Sequence, residues 1–110
     1  MLLHVAGANY GLPGMMGAKP PAGFSFQTIE KSTTEKAKIV AELKASFAHL
    51  RNAIVTANES DNEKMLKVFG MDMTQRAFLS FMNRHLGEHL GQSIAYARTN
   101  GVVPPWSQGG

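Results

Sequence analysis

Residues 75–99 form the segment that most constrains how this chain can fold. Their apolar side chains recur at helical spacing, which predicts one long amphipathic helix. Thr74 is a candidate N-cap for this helix, and Asn100–Gly101 is a stop signal. Because a helix with a wide apolar stripe has to bury it against other elements, we expect a helical domain.

Two histidines lie in the middle of this stripe. His85 and His89 are four residues apart and therefore share one helix face. Burying an imidazole costs free energy unless its ring nitrogens find partners. Two interpretations follow: each ring has its own hydrogen-bond partner, or both rings bind one metal ion.

The remainder of the chain predicts a short helix, a long loop and a second long helix. Residues 1–10 favour a helix that ends at Gly11, and residues 11–29 favour an ordered loop held to the core by Phe24 and Phe26. The first helix starts without a cap. This indicates either that the chain opens inside a helix or that a preceding segment is missing.

The second long helix has its own signals. Ser32 and Glu35 fit a capping box. An apolar stripe over about 22 residues then predicts a buried face, formed by Val40, Leu43, Phe47, Leu50 and Ile54. His49 falls on the opposite face and is expected to be exposed and outside any site. Residues 63–73 predict an extended or single-turn connector.

These elements predict a single all-α domain of three helices over residues 1–110. A fourth helix would complete a bundle. The net charge of +3 is scattered, so nucleic acid is not an expected partner. No apolar run approaches the roughly 20 residues that span a bilayer, and no signal peptide is evident. The absence of cysteine fits a cytoplasmic protein and excludes thiolate ligands and nucleophiles.

Three further residues are candidates for the chemistry of a site. His4 is either a surface residue or the third ligand that a catalytic metal needs. Glu88 is either the partner of Arg84 in a solvated ion pair or a general base. Gln92, one turn after His89, is either a hydrogen-bond partner of that ring or a buried amide. The H-x-x-E-H pattern at His85–His89 is formally that of a peptidase, but no downstream carboxylate follows it.

Three segments resemble the DinB/YfiT-like family: LLHVAGANYG (2–11), ELKASFAHLR (42–51) and DMTQRAFLSFMNRHLGEHLGQSIAYARTNGVVPPWS (72–107). The resemblance implies an up-down four-helix bundle with Zn²⁺ or Ni²⁺ held by three histidines, which here are His4, His85 and His89. Members include thiol-dependent transferases or isomerases and metal-dependent hydrolases, and many are dimers. The family's first helix would precede residue 1, and Glu88 stands where relatives often carry another histidine.

Two functions are therefore expected. One is a metal-dependent hydrolase or thiol-dependent transferase with an open coordination position, a small-molecule substrate and Glu88 and Gln92 as catalytic candidates. Any thiol would be a low-molecular-weight cosubstrate. The other is a non-catalytic helical association module with a structural or vacant histidine cluster. In both cases an apolar face of the last helix predicts a homodimer; it comprises Leu79, Leu86, Leu90 and Ile94.

Overall fold

The computed structural model of the chain describes residues 1–109 and is mostly helical. Within these residues the elements are α1 (Leu2–Gly11), α2 (Phe26–Ile29), α3 (Lys36–Thr56), β1 (Met65–Val68), β2 (Met71–Thr74) and α4 (Gln75–Thr99). Short 3₁₀ turns lie at Leu12–Met16, Glu59–Asp61 and Pro105–Ser107. No helix in this part of the chain is long and apolar enough to cross a membrane. The chain is mostly helical, as predicted, but β1 and β2 add a small two-stranded sheet that the all-α prediction did not include.

The two strands form an antiparallel hairpin that ends directly at α4. Met65 lies opposite Thr74, and Val68 lies opposite Met71. The two turn residues both have positive φ, 50° at Phe69 and 79° at Gly70, as a type I′ hairpin turn requires. The sequence predicted an extended or single-turn connector here. Strands of four residues are too short for an alternating pattern to distinguish the two.

The predicted bounds of α4 are confirmed. The Thr74 hydroxyl accepts a hydrogen bond from the amide of Ala77 at 3.1 Å and so caps the first turn. Gly101 follows the helix with φ 74°, the left-handed conformation that ends helices. The buried side chains of α4 all lie in its first eight residues, and they are Gln75, Phe78 and Met82.

Small residues allow α1 and α3 to pack closely. Ala6 is fully buried on α1, and Ser46 and Ala53 are buried on α3. Inside this interface the Asn9 side-chain amide donates to the Ser46 hydroxyl at 3.1 Å, so a buried polar pair is satisfied. The backbone of α1 lies mainly against α3, whereas that of α4 lies mainly against the hairpin.

The buried face of α3 differs from the predicted one. Leu50 is buried, but Val40, Phe47 and Ile54 are 37%, 43% and 45% exposed. The face that meets α1 is displaced by about one residue step, roughly 100° around the helix. Periodicity indicates which residues share a face, but not whether another element covers that face.

The predicted capping box is also wrong. Helix α3 begins at Lys36, three residues later than the box requires, and its N-cap is Glu35. The Ser32 hydroxyl instead donates to the carbonyl of Ile29 at 2.7 Å and closes the end of α2. The Thr33 hydroxyl accepts a hydrogen bond from the amide of Glu35. This local turn competes with helix formation at these residues.

The arrangement of these elements is open. The radius of gyration is 15.7 Å, compared with about 13 Å for a closely packed domain of this length. The described residues expose 7555 Å², whereas a folded monomer of this mass exposes about 6,000 Å². The chain therefore exposes roughly 1,500 Å² more surface than a closed fold of the same mass would expose.

Candidate metal centre

Helix α4 places two imidazoles side by side. The i, i+4 spacing brings Nε2 of His85 to 3.1 Å from Nε2 of His89. Their ring centroids are 4.5 Å apart, and both side chains are half-buried. The two nitrogens therefore lie within hydrogen-bond distance of each other beside the helix.

Helix α1 contributes the third imidazole. The His4 ring centroid lies 5.5 Å from that of His85 and 4.8 Å from that of His89. One ring nitrogen from each of the three histidines can be chosen so that all lie within 4.8 Å of one another. The side chain of His4 is 46% exposed, so the cluster opens to solvent on this side. The three histidines singled out in the sequence thus come close enough to bind a metal ion.

Two of the rings are held from outside the cluster. Nδ1 of His89 lies 2.9 Å from Oε1 of Gln92, and Nδ1 of His4 lies 2.7 Å from Oε1 of Glu30. Because an amide or carboxylate oxygen can only accept, Nδ1 carries the proton in both rings. In the neutral form of either ring, Nε2 is then the nitrogen that has the lone pair a metal ion needs.

Glu30 was not identified by sequence reasoning. It follows α2 in a segment without a chemical motif and lies 26 residues from His4. The available signal was indirect: a ligating histidine needs an acceptor for its second ring nitrogen, and the loop between α1 and α3 offers Glu30 and Glu35 as its carboxylates.

Burial, and then the neighbouring rings of His89 and His4, lower the pKa of His85 below its usual value, and Glu88 partly opposes this. A cation is disfavoured among other imidazoles because their charges would repel. His85 is therefore biased toward the neutral form, and only neutral imidazole can donate a lone pair to a metal ion.

The two catalytic candidates occupy different positions. Gln92 is exposed, so the interpretation as a buried amide is wrong, and its oxygen contacts His89. Glu88 is exposed and pairs with Arg84 at 3.4 Å on the outer face of α4. The structure therefore brings Gln92 to the cluster, while the Glu88 carboxylate is engaged in the predicted i, i+4 ion pair.

His49 was expected to be exposed, and that expectation is wrong. Its side chain is half-buried, and Nε2 is buried without a hydrogen-bond partner among the described residues. The ring packs edge-on against Tyr10 with centroids 5.6 Å apart. Because α3 is rotated from the predicted phase, this histidine turns toward α1. It lies outside the His4–His85–His89 cluster, as predicted.

An apolar groove adjoins the cluster. A cavity of about 560 Å³ lies between α1, α3 and α4, with His89 in its wall. Its other walls are mainly aliphatic and aromatic, formed by Leu2, Val5, Leu43, Phe47, Asn83, Leu86, Gly87, Leu90 and Ser93. Among the described residues, no Asp, Glu, Lys or Arg side chain lines this groove. A small molecule with an apolar body would fit beside the histidines.

Comparison of the chain with protein-family models, with curated proteins and with solved structures yields no match.

Proposed function

We propose that His4, His85 and His89 hold one divalent ion, Zn²⁺ or Ni²⁺, in the active site of a small metal-dependent enzyme. The convergence of three imidazoles from two helices carries this proposal. Nitrogens that bind one tetrahedral ion at about 2.0–2.1 Å lie about 3.3 Å apart. The 3.1 Å between the Nε2 atoms of His85 and His89 is close to that value.

The fold proposed with this site is a bundle of the DinB type. Helices α1, α3 and α4 would occupy three of its four positions. The placement of the histidines on α1 and α4 supports this assignment, because a bundle holds its metal between facing helices.

Three protein ligands leave a coordination position open. An ion held in this way acts as a Lewis acid that activates water or a thiol. The chain supplies the orientation: Gln92 and Glu30 fix the His89 and His4 rings, and the apolar groove receives the substrate. The reaction would be hydrolysis or thiol transfer to a small electrophile. Because the chain has no cysteine, the thiol has to come from a cosubstrate.

Elemental analysis of the purified protein tests the metal site. We expect about one ion per chain, loss of that ion on treatment with a chelator, and loss of binding in His4→Ala, His85→Ala and His89→Ala. His49→Ala is the matched control and should retain the ion. Activity of the loaded protein is then assayed with an activated ester, and with an aryl halide plus a low-molecular-weight thiol. Failure of the wild-type protein to bind either metal would refute the proposal.

The groove favours a second candidate function, association with another copy of the chain. The exposed apolar residues of α3 continue the walls of the groove. An interface of standard size removes about 800 Å² from each partner. The surplus exposed surface of roughly 1,500 Å² is enough for one such interface. A dimer would close the groove, and the histidine cluster would then be structural.

Light scattering over a dilution series tests the dimer. Phe47→Glu places a charge in the groove and should yield monomers. Ala45→Glu places the same charge on the far, exposed side of α3 and should leave the dimer intact. A wild-type monomer at high concentration would exclude this function without affecting the metal proposal.

A further inference from the structure

Helix α2 docks on a notch in α1 formed by two glycines. A Cβ at Gly7 would lie 3.1 Å from Cγ2 of Ile29, and a Cβ at Gly11 would lie 1.9 Å from the Phe26 ring. Ile29 is buried in this contact. The close approach fixes the position of α2 on α1. Glu30 is the next residue along the chain and is thereby carried to the first turn of α1, where His4 lies.

The contact between Glu30 and His4 is short but solvent-accessible. The carboxylate oxygen accepts from Nδ1–H at 2.7 Å, and the two side chains are 56% and 46% exposed. A hydrogen bond as exposed as this contributes little to stability by itself. Its physical effect is on the ring: the protonated Nδ1 fixes the tautomer and turns Nε2 toward the other two imidazoles.

We propose that Glu30 is a positioning residue of the metal centre, and that metal binding and docking of residues 25–30 on α1 stabilise each other. The inference rests on the proposed metal site. Glu30 would hold the His4 ring in the ligating orientation and make Nε2 a stronger donor. Because such coupling is reciprocal, an ion bound at Nε2 polarises the Nδ1–H group and tightens its bond to Glu30.

The first test compares Zn²⁺ affinities by competition with a chelating dye. Glu30→Ala should weaken binding about 10- to 100-fold. Glu30→Gln should recover most of the loss, because an amide oxygen accepts the same hydrogen bond. Glu63→Gln removes an exposed carboxylate that pairs with Arg76 instead, and should bind as tightly as wild type. The visible spectrum of the Co²⁺ form should change in Glu30→Ala and not in the control.

Hydrogen exchange provides the second test. Zn²⁺ should slow exchange of the amides of residues 25–30 in the wild-type protein, and should not do so in Glu30→Ala. Equal Zn²⁺ affinity of wild type and Glu30→Ala, with unchanged protection of this segment, would overturn the role of Glu30. If wild type binds no metal, the proposed function fails first, and the two failures are thereby distinguished.

Discussion

The two parts of α4 are held in different ways. Residues 75–82 are anchored by the hairpin and by the buried side chains of Phe78 and Met82, which join Leu50 and Val68 in the core. Residues 83–99 have no fully buried side chain, and their link to α1 runs through the histidine cluster and the partly exposed groove. One part of the helix is fixed by packing, and the other lies where a metal ion would bind.

Because of this difference, substitutions and metal binding should have their main effects on different parts of the helix. Packing contributes to stability whether or not an ion is present. A ligand that binds the folded protein contributes only when it is bound. Substitutions in residues 75–82 should therefore act on overall stability, and metal should act most strongly on residues 83–99.

The largest effect is expected for Phe78→Ala. Phe78 is completely buried, and removing a buried aromatic ring costs about 3–5 kcal/mol. Tyr96→Ala removes an aromatic ring from residues 83–99, where it is 60% exposed, and should cost less than about 0.5 kcal/mol. Urea denaturation with a chelator present measures both. Equal costs would show that the two parts of α4 are not held differently.

Metal binding should give the next largest effect. Zn²⁺ at 100 times its Kd should raise the free energy of unfolding by about 2.7 kcal/mol. Hydrogen exchange should slow most in residues 83–99, because that part of α4 has no buried side chain to hold it when the ion is absent. His85→Ala should abolish both responses, whereas His49→Ala should retain them. If Zn²⁺ slowed hydrogen exchange only in residues 75–82, the proposed difference between the two parts of α4 would be wrong.

A smaller effect, a loss of about 1.4 kcal/mol by pH 11, is expected from pH in the packed interface of α1 and α3. Burial and, secondarily, Glu42 raise the pKa of Tyr10 from 10.0 to about 12. The unfolded chain therefore loses this proton first, and the contribution to stability, fully present below about pH 10, falls as pH rises toward 12. Tyr10→Phe should flatten this slope in denaturation curves of the metal-free protein. A slope unchanged by the substitution would exclude Tyr10 as its source.

The smallest effect on stability is expected from the ion pair of Arg84 and Glu88. An exposed i, i+4 pair contributes about 0.3–0.5 kcal/mol, so Arg84→Gln and Glu88→Gln should each change the urea midpoint only slightly. Activity provides a separate readout. If Glu88 is a general base, Glu88→Gln should lower kcat by about 10²–10⁴, whereas Arg84→Gln should not.

The local sequence was sufficient to predict α4 and the proximity of His85 and His89. Thr74 and Asn100–Gly101 are local signals that do not depend on the rest of the fold, so both ends of α4 were placed correctly. The spacing of His85 and His89 fixes their proximity through helix geometry alone. His4 is not local to them, and its place in the cluster came from the resemblance and the need for a third ligand.

Other features depend on contacts that a linear pattern does not encode. The face of α3 that is buried is decided by where α1 lies, so Phe47 was expected in the core and is 43% exposed. Glu30 reaches His4 only because the glycine notch of α1 brings α2 close. The hairpin strands are four residues each, and their pairing is determined by the turn at Phe69–Gly70.

The distance along the chain between the three imidazoles has a consequence for folding kinetics. His85 and His89 come together as soon as α4 is helical, but His4 has to close a loop of about 80 residues, at an entropic cost of about 4 kcal/mol. The complete cluster should therefore form late, after the folding transition state. An ion bound to all three should slow unfolding more than it speeds folding, and stopped-flow measurements with and without Zn²⁺ would show this as a larger shift of the unfolding limb than of the folding limb.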